Sequence, residues 1–508
     1  VKIAQQPLRL VSTIMTHFTQ PSFLHGAPQP LVLTLEEQEA DPFDLYCSLA
    51  TPSQPSFLLD SGKASADGLH YSFLGCNPSA ILTGNQGRSS YRTREGREIT
   101  LIDPFSYLGK MMADASIQHI DGLPPFIGGA AGYLSYDLVR QFETLPSLAA
   151  DDLALPDLQF AFFEMIAAVE HHTNRVHLIY CPSGERFLGE PREKLYREGL
   201  DRLAAFAAEI KGTRSETTTA PAIQVSFHPD QTQVAYMDRV RRCQDYIAAG
   251  DIYQANLSHR FTVMIKDMPD TSRDRLTAWQ TLYGRLRRIN PSPFSGLLHF
   301  DNVALVSCSP ERLVRLQGRR VDTRPIAGTR PRGRDVAEDQ RLVRDLLSNE
   351  KERAEHLMLV DLERNDLGRV CQFGTVQVDE FMTVEQYSHV SHIVSHISGT
   401  LRSDATPFDL IKAMFPGGTI TGVPKIRCME IIDELEPVRR GPYTGSFGYL
   451  SWNGNIDLNI TIRTLVLCQT AGYLQVGAGI VADSDPSREY EETLHKAQAF
   501  LTSFQEME

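Results

Sequence analysis

The sequence predicts an α+β protein of two β-sheet-containing lobes packed as a sandwich, with helices outside. Three observations predict it. Strand-like and helix-like segments are mixed without the regular βαβ beat of a parallel sheet. β-rich text dominates around residues 290–330 and 440–480. The chain's 508 residues are long for one compact core but comfortable for two lobes.

Along the chain, "REKLYREGLDRLAAFAAEIK" keeps Leu195, Leu200, Leu203, Phe206 and Ile210 roughly on one helical face. "GTRSETTTAPA" (212–222) then loses all apolar period and reads as a linker. Residues 1–211 are thus expected to form the N-terminal lobe and residues 223–508 the second. The second opens with another amphipathic helix, "VAYMDRVRRCQDYIAAGD", in which Met237, Val240, Cys243 and Ile247 share a stripe and Gly250 is a natural C-cap. "IYQANLSHRFTVMI" follows as strand-like text. "GYLSYD" (132–137) and "GYLSWN" (448–453) echo each other, both after Gly-rich approaches. Two sheets built alike, one per lobe, would explain the echo; so would chance.

The composition, 42% hydrophobic and 22% charged, is that of a globular protein. A net charge of −13 argues against nucleic acid or an anionic membrane as partner, yet permits a locally basic site for an anionic substrate. The eight cysteines form no C-x-x-C pair and no zinc-ligand spacing, and read as reduced core thiols. No 18-residue apolar run and no N-terminal hydrophobic block are present, so the expectation is a cytoplasmic protein.

Several segments could carry chemistry. In "TRPIAGTRPRG" (323–333) and the residue after it, Arg324, Arg330, Arg332 and Arg334 flank an Ala327-Gly328-Thr329 turn, a natural place for an acidic small molecule. The turn itself holds no nucleophile. "SNEKERAEHLMLV" and "DSDPSREYEETLHKA" place Glu352 with Glu355 and Glu489 with Glu492 at i, i+3, so each helix can aim two carboxylates at one point. Ser348 is a candidate cap for the first helix, and Asp485 with Pro486 opens the second. Such oxygen ligands suit Mg²⁺, although the same spacing decorates many solvated helices. "FPGGTITGVPK" (415–425) imitates a phosphate cradle but has Val423 where a P-loop requires Lys-Ser/Thr, and "GAGIVA" (477–482) lacks the βαβ unit of a dinucleotide site. Glycines there suit the close approach of backbone amides to a carboxylate. Arg463 in "ITIRTL" is unusual inside an apolar run, because its burial is costly unless an anion compensates. Alone, His392 reads as a hydrogen-bonded core histidine and Glu311 as a surface charge.

Taken together and in order, "PIAGT", "KERAEHLMLVDLERNDLGRV", "FPGGTITGVPKIRCMEIIDELEP", "YTGSFGYLS", "ITIRTL" and "GAGIVADSDPSREYEETLHKA" resemble the chorismate-utilising enzymes, densely from about residue 235 to 505 and more faintly before. That family includes anthranilate synthase component I, aminodeoxychorismate synthase component I, and the isochorismate and salicylate synthases. The resemblance implies an anthranilate synthase component I-like fold and a Mg²⁺ ion on the ring carboxylate of chorismate. Its ligands would be Glu355 and Glu492, with Glu352 and Glu489 beside them. It implies that Tyr443 and Arg463 grip the enolpyruvyl carboxylate, that Gly328, Thr419 and Gly479 contact the ring and carboxylates, and that Lys496 is a second cation near the ring carboxylate. His392 would lie beside the reacting ring, and Glu311 would protonate the departing 4-hydroxyl, which leaves poorly as bare hydroxide. Ala327, Thr329 and Gln254 complete the implied catalytic set.

Isochorismate and salicylate synthases carry a lysine base where this chain has Gln254, and Gln cannot activate water; ammonia needs no such base. Within the amine-adding branch PIAGT itself is similar to anthranilate synthases. Asn256, "NPSPFSG" (290–296) and "LLDSG" (58–62) are closer to aminodeoxychorismate synthases, of which one subclass also reads PIAGT. The expectation is therefore an aminodeoxychorismate synthase component I acting without a covalent lysine intermediate, with anthranilate synthase component I as the alternative. No glutaminase segment is recognisable in the chain, so the resemblance implies ammonia delivered by a separate class I glutamine amidotransferase subunit.

Overall fold

The structure, a computed structural model, describes residues 20–505 apart from 37–39, 62–70, 86–88, 115–116, 118–119, 213–224, 266–270, 388–389 and 469–470. All of the expected linker except Gly212 lies outside the described residues. The fold is α+β, as the sequence predicts: two large antiparallel sheets face each other, with helices packed around them.

Each sheet draws on both sides of the 213–224 segment. The first sheet runs from Leu31–Leu35 through Arg175–Tyr180, Met165–Glu170, Tyr71–Cys76 and Ser56–Asp60, then continues as Phe294–His299, Val303–Ser309, Thr464–Cys468, Gly472–Ile480, Gln254–Ile265 and Val225–Pro229. Ser56–Asp60 pairs directly with Phe294–His299. The second sheet runs from Ile326–Pro331 through Val390–Thr400, Arg320–Arg324, Arg312–Gln317, Ile456–Asn459 and Ser446–Ser451 to Gly129–Leu134, Leu158–Phe163, Ala80–Gly84, Ser89–Thr93 and Glu98–Leu101.

The echo between "GYLSYD" and "GYLSWN" has a different meaning from one sheet per lobe. The two segments are neighbours in the second sheet, antiparallel, with Gly132 opposite Gly448. Both glycines are there for close packing of backbone: a Cβ on Gly132 would lie 2.0 Å from the Gln159 carbonyl oxygen, and one on Gly448 2.1 Å from that of Asp457. Between the sheets, the core is aromatic. The rings of Phe73 in the first sheet and Tyr449 in the second meet edge to face at 5.5 Å, and Phe447 occupies the space that a side chain at Gly296 would need.

Two strand pairs change sheets side by side. Val303–Ser309 belongs to the first sheet, and after Pro310 and Glu311 the chain enters the second as Arg312–Gln317. Its partner runs the opposite way, from Ile456–Asn459 in the second sheet to Thr464–Cys468 in the first. The crossings are stitched together by Ile460 N–H to Glu311 O (3.0 Å), Cys308 N–H to Arg463 O (3.0 Å) and Ser309 Oγ–H to Ile460 O (2.6 Å). Arg463 turns the corner at φ 49°, a left-handed conformation that costs a non-glycine residue about 1–3 kcal/mol. The seam between the sheets thus places one carboxylate and one guanidinium opposite each other by backbone geometry alone.

All eight cysteines are free thiols. Among the described residues no helix is long and apolar enough to cross a membrane.

Candidate active site

Glu311 is buried at the seam and accepts a hydrogen bond from the Ile326 N–H (3.4 Å), the residue before Ala327. Burial pushes its carboxyl up to about 7; the neighbouring Thr419 hydroxyl, the Ile326 N–H and Arg463 only partly offset that. Thr419 Oγ1 is itself buried without a well-formed hydrogen bond. The Arg463 side chain is half-buried, and desolvation depresses its pKa. Among the described residues no carboxylate forms an ion pair with it. An unpaired cation held beside a neutral acid is a ready receptor for an incoming carboxylate.

His392 faces the same place from the Val390–Thr400 strand, opposite Thr329 in the register. Its Nδ1 lies 2.9 Å from Thr329 Oγ1 and 3.3 Å from Gly328 O, so the Nδ1–H donates and Nε2 keeps its lone pair. Nε2 is buried and has no partner. Burial and the nearby Arg463 hold the ring pKa down to about 4, hence neutral at physiological pH.

Glycine keeps the floor open. On the Gly472–Ile480 strand, a Cβ at Gly477 would lie 2.5 Å from Asn256 Oδ1 and 2.9 Å from the Tyr443 hydroxyl, and one at Gly479 would lie 2.5 Å from Gln254 Nε2. Gln254 and Asn256 occupy one face of their strand, and Gln254 Oε1 and Asn256 Oδ1 are both buried without a partner. A buried ion pair fixes these pieces. Arg440 bonds Glu436 (2.7 and 2.9 Å) and reaches Asn256 O (2.6 Å) and Ile420 O (2.9 Å), while Glu436 accepts from Ser258 N–H and Oγ–H, both at 2.8 Å. Sequence reasoning missed this clip; nothing local in "EPVRRGPYTG" marks it.

The two glutamate pairs converge. The Glu350–Gly368 helix begins not at Ser348 but at Asn349, whose side chain accepts from Glu352 N–H (3.0 Å); Ser348 instead closes the preceding helix. Asp485 caps the Pro486–Gln505 helix by accepting from Arg488 N–H (2.9 Å). Burial and then the charges of Glu352, Glu489 and Glu492, against Lys351, push Glu355 up to about 7, and burial with Glu492 also raises Glu489. Glu352 pairs with Arg330 (3.1 Å), and its Oε2 would lie 2.9 Å from a Cβ on Gly328. Lys496 bridges Glu492 (2.8 Å) and Gly477 O (2.9 Å), joining the carboxylates to the glycine floor. Even with Lys351 and Lys496 nearby, burial and mutual repulsion hold Glu355 and Glu489 up, and such crowded carboxylates fit a hard divalent cation. Among the described residues no three such groups stand close enough to hold a metal alone, so substrate and water would complete its shell, as is usual for Mg²⁺. Glu355→Gln is expected to raise the Mg²⁺ concentration for half-maximal turnover by at least ~10–100-fold, what even an outer-shell partner of a metal can cost. A Mg²⁺ titration of turnover that matches the parent would remove Glu355 from the metal set.

The arginines of the PIAGT segment behave otherwise than the sequence led us to expect. Arg324 pairs with Glu385, Arg330 with Asp345 and Glu352, Arg332 with Asp339, and Arg334 with Glu338. They fold the segment onto its neighbours, and their charge is spent on protein carboxylates, whereas Arg463 has none among the described residues. Two buried carboxyls near the site, Glu363 and Asp366, and the half-buried Lys425 also went unread. Apart from Ala327, which lies opposite Ile393 in the strand register, the sequence-predicted site residues are linked by contacts or by charge from Glu311, Thr419 and Arg463 through His392, Thr329 and Gly328 to the glutamates, Lys496, the glycine floor, Gln254 and Tyr443.

Comparison with known proteins places the chain in a family. Residues 54–502 match the chorismate binding enzyme family. The chain is 45% identical over 461 residues to anthranilate synthase component 1 of Thermus thermophilus, covering 91% of this chain and 94% of that one. It is 40% identical over 438 residues to aminodeoxychorismate synthase component 1 of Bacillus subtilis, covering 86% and 89%. The crystal structure of anthranilate synthase component I from Streptococcus pneumoniae superposes with a TM-score of 0.73 at 33% identity, over 86% of this chain and 93% of that one. The chain belongs to the chorismate-utilising enzymes, close to the anthranilate and aminodeoxychorismate synthases.

Proposed function

We propose that this protein is the chorismate-aminating component of an aminodeoxychorismate synthase, converting chorismate and ammonia to 4-amino-4-deoxychorismate without a covalent lysine intermediate. One observation carries the reading: where an attacking group must be received, the site offers Gln254 Oε1 and Asn256 Oδ1, two buried acceptors without donors, and neither a base nor a nucleophile. Acceptors without donors suit a molecule made of N–H bonds. Ala327, the residue between Ile326 and Gly328, supplies only a methyl group.

In this reading Arg463 and Tyr443 hold the enolpyruvyl carboxylate, and the ring carboxylate lies toward Glu355 and Glu492. A Mg²⁺ ion bound there supplies positive charge against that carboxylate. Glu311, whose raised carboxyl stays partly protonated at pH 7, gives its proton to the departing 4-hydroxyl, which leaves as water while ammonia attacks C2. The Glu311 carboxylate takes a proton back from the added nitrogen. A second ammonia then attacks C4, and Glu311 returns that proton to the nitrogen leaving C2. Neutral His392 flanks the ring without adding charge. The relatives' names, each a component 1, support a second subunit, and a class I glutamine amidotransferase delivering ammonia fits.

The anthranilate synthase relatives favour a second reading, anthranilate formation with loss of pyruvate. The test is incubation with chorismate, Mg²⁺ and ammonium chloride at mildly alkaline pH. p-Aminobenzoate appearing only after addition of an aminodeoxychorismate lyase is the expected result. Strong anthranilate fluorescence without added enzyme would overturn the proposed product.

A further inference from the structure

Glu363 has no part in the chemistry above, yet its setting is unusual. It lies on the face of the Glu350–Gly368 helix that also carries Glu352 and His356 (i, i+4, i+11), turned into the protein. Its carboxyl is buried; Oε1 accepts the Gly418 N–H (3.2 Å) and Oε2 has no partner. The nearest cation, Lys425, is already engaged by Asp366 and by Met414 O (3.3 Å). An ionised carboxylate with a single neutral donor in such a place is costly, so the neutral acid is the stable form.

The same short turn touches both acids. Gly418 donates to Glu363, and the next residue, Thr419, lies beside Glu311. We propose that Glu363 is the positioning partner of Glu311, the two buried carboxyl groups behaving as one proton-holding pair behind the departing 4-hydroxyl. The proposal rests on the reading of Glu311 as the acid. When Glu311 gives up its proton, the negative charge appears across the Gly418–Thr419 turn from a neutral carboxyl whose second oxygen has no partner. The pair as a whole then still holds a proton. The groups facing it are Asp366 on the same helix, Lys425 on the Lys425–Leu435 helix, Arg463 at the seam beside Glu311, and Arg369 beside Asp366. Burial, Asp366 and Glu311 raise the Glu363 carboxyl against Lys425 and the Gly418 N–H, in keeping with such sharing.

The test compares Glu363→Gln and Glu363→Ala with the parent, at saturating Mg²⁺ and constant free ammonia. Gln keeps an acceptor for Gly418 N–H and the shape of the side chain but cannot hold the proton. The expected result is a fall in kcat of about tenfold, a modest part of what general acid catalysis contributes. KM for chorismate should stay unchanged, and the alkaline limb of the kcat profile should go from a two-proton to a one-proton fall. Difference infrared spectroscopy should show a protonated-carboxyl band at neutral pH that weakens in Glu363→Gln. If Gln restores everything that Ala loses, with the parent's pH profile, Glu363 is only a brace and the proposal is overturned. Retention of turnover in Glu311→Gln would instead remove the acid, and with it the reading on which the pair depends.

Discussion

Glu311→Gln should lower turnover by ~10²–10⁴-fold, the range general acid catalysis supplies, while leaving chorismate affinity within a few-fold of the parent. The amide has the shape of the acid and can still accept the Ile326 N–H, so the seam should keep its form. What it cannot do is protonate a leaving oxygen. The pH dependence has a definite sign. Burial raises the Glu311 carboxyl to about 7, and the protonated form is the active one, so kcat/KM of the free enzyme should hold below that value and fall above it. The measurement must fix free ammonia, because the nucleophile itself grows with pH. A variant that turns over normally, or a parent whose kcat/KM rises through pH 7–8 at constant ammonia, would exclude Glu311 as the acid.

Arg463→Met should have opposite effects on binding and stability. Removing one partner of a desolvated, hydrogen-bonded charge pair typically costs about 2–5 kcal/mol, so chorismate should bind roughly 30-fold or more weakly. The free protein, in contrast, should melt at a higher temperature. Its guanidinium has no counter-ion among the described residues, burial depresses its pKa, and a methionine of similar length removes that desolvation. Isothermal titration with chorismate and a thermal melt of the same preparation decide the matter. Unchanged affinity together with a lower melting temperature would make Arg463 a structural residue.

Much of the site was legible wherever a residue conflicts with its surroundings. Arg463 in an apolar run and the paired glutamates at helical spacing could be singled out by local chemistry, and the ordered family motifs then gave them roles. The α+β class followed from strand-like text without a βαβ rhythm. What could not be read depends on partners remote in sequence. The arginines around PIAGT look like an anion receptor until their carboxylates, from Glu338 to Glu385, fold onto them. Glu363 looks like one more solvated charge in "DLERNDLG" because the turn that buries it comes 55 residues later. The helix start moved by one residue because Ser348 and Asn349 are both good caps, and only their backbone bonds tell which closes one helix and which opens the next. The echo was visible as a repeat, but its meaning, two strands lying side by side, needs the register.

The interleaving of the sheets has a consequence for how this polypeptide is made. Synthesis proceeds from the N-terminus, so Ser56–Asp60 leaves the ribosome long before its neighbour Phe294–His299, and Gly129–Leu134 waits still longer for Ser446–Ser451. Until those partners emerge, each incomplete sheet carries a naked row of amide and carbonyl groups, the kind of border that recruits stray strands. Contacts so distant along the chain also form slowly. A nascent chain of this architecture needs shelter for its unfinished borders, and the catalytic seam can assemble only when nearly all of the protein has been translated.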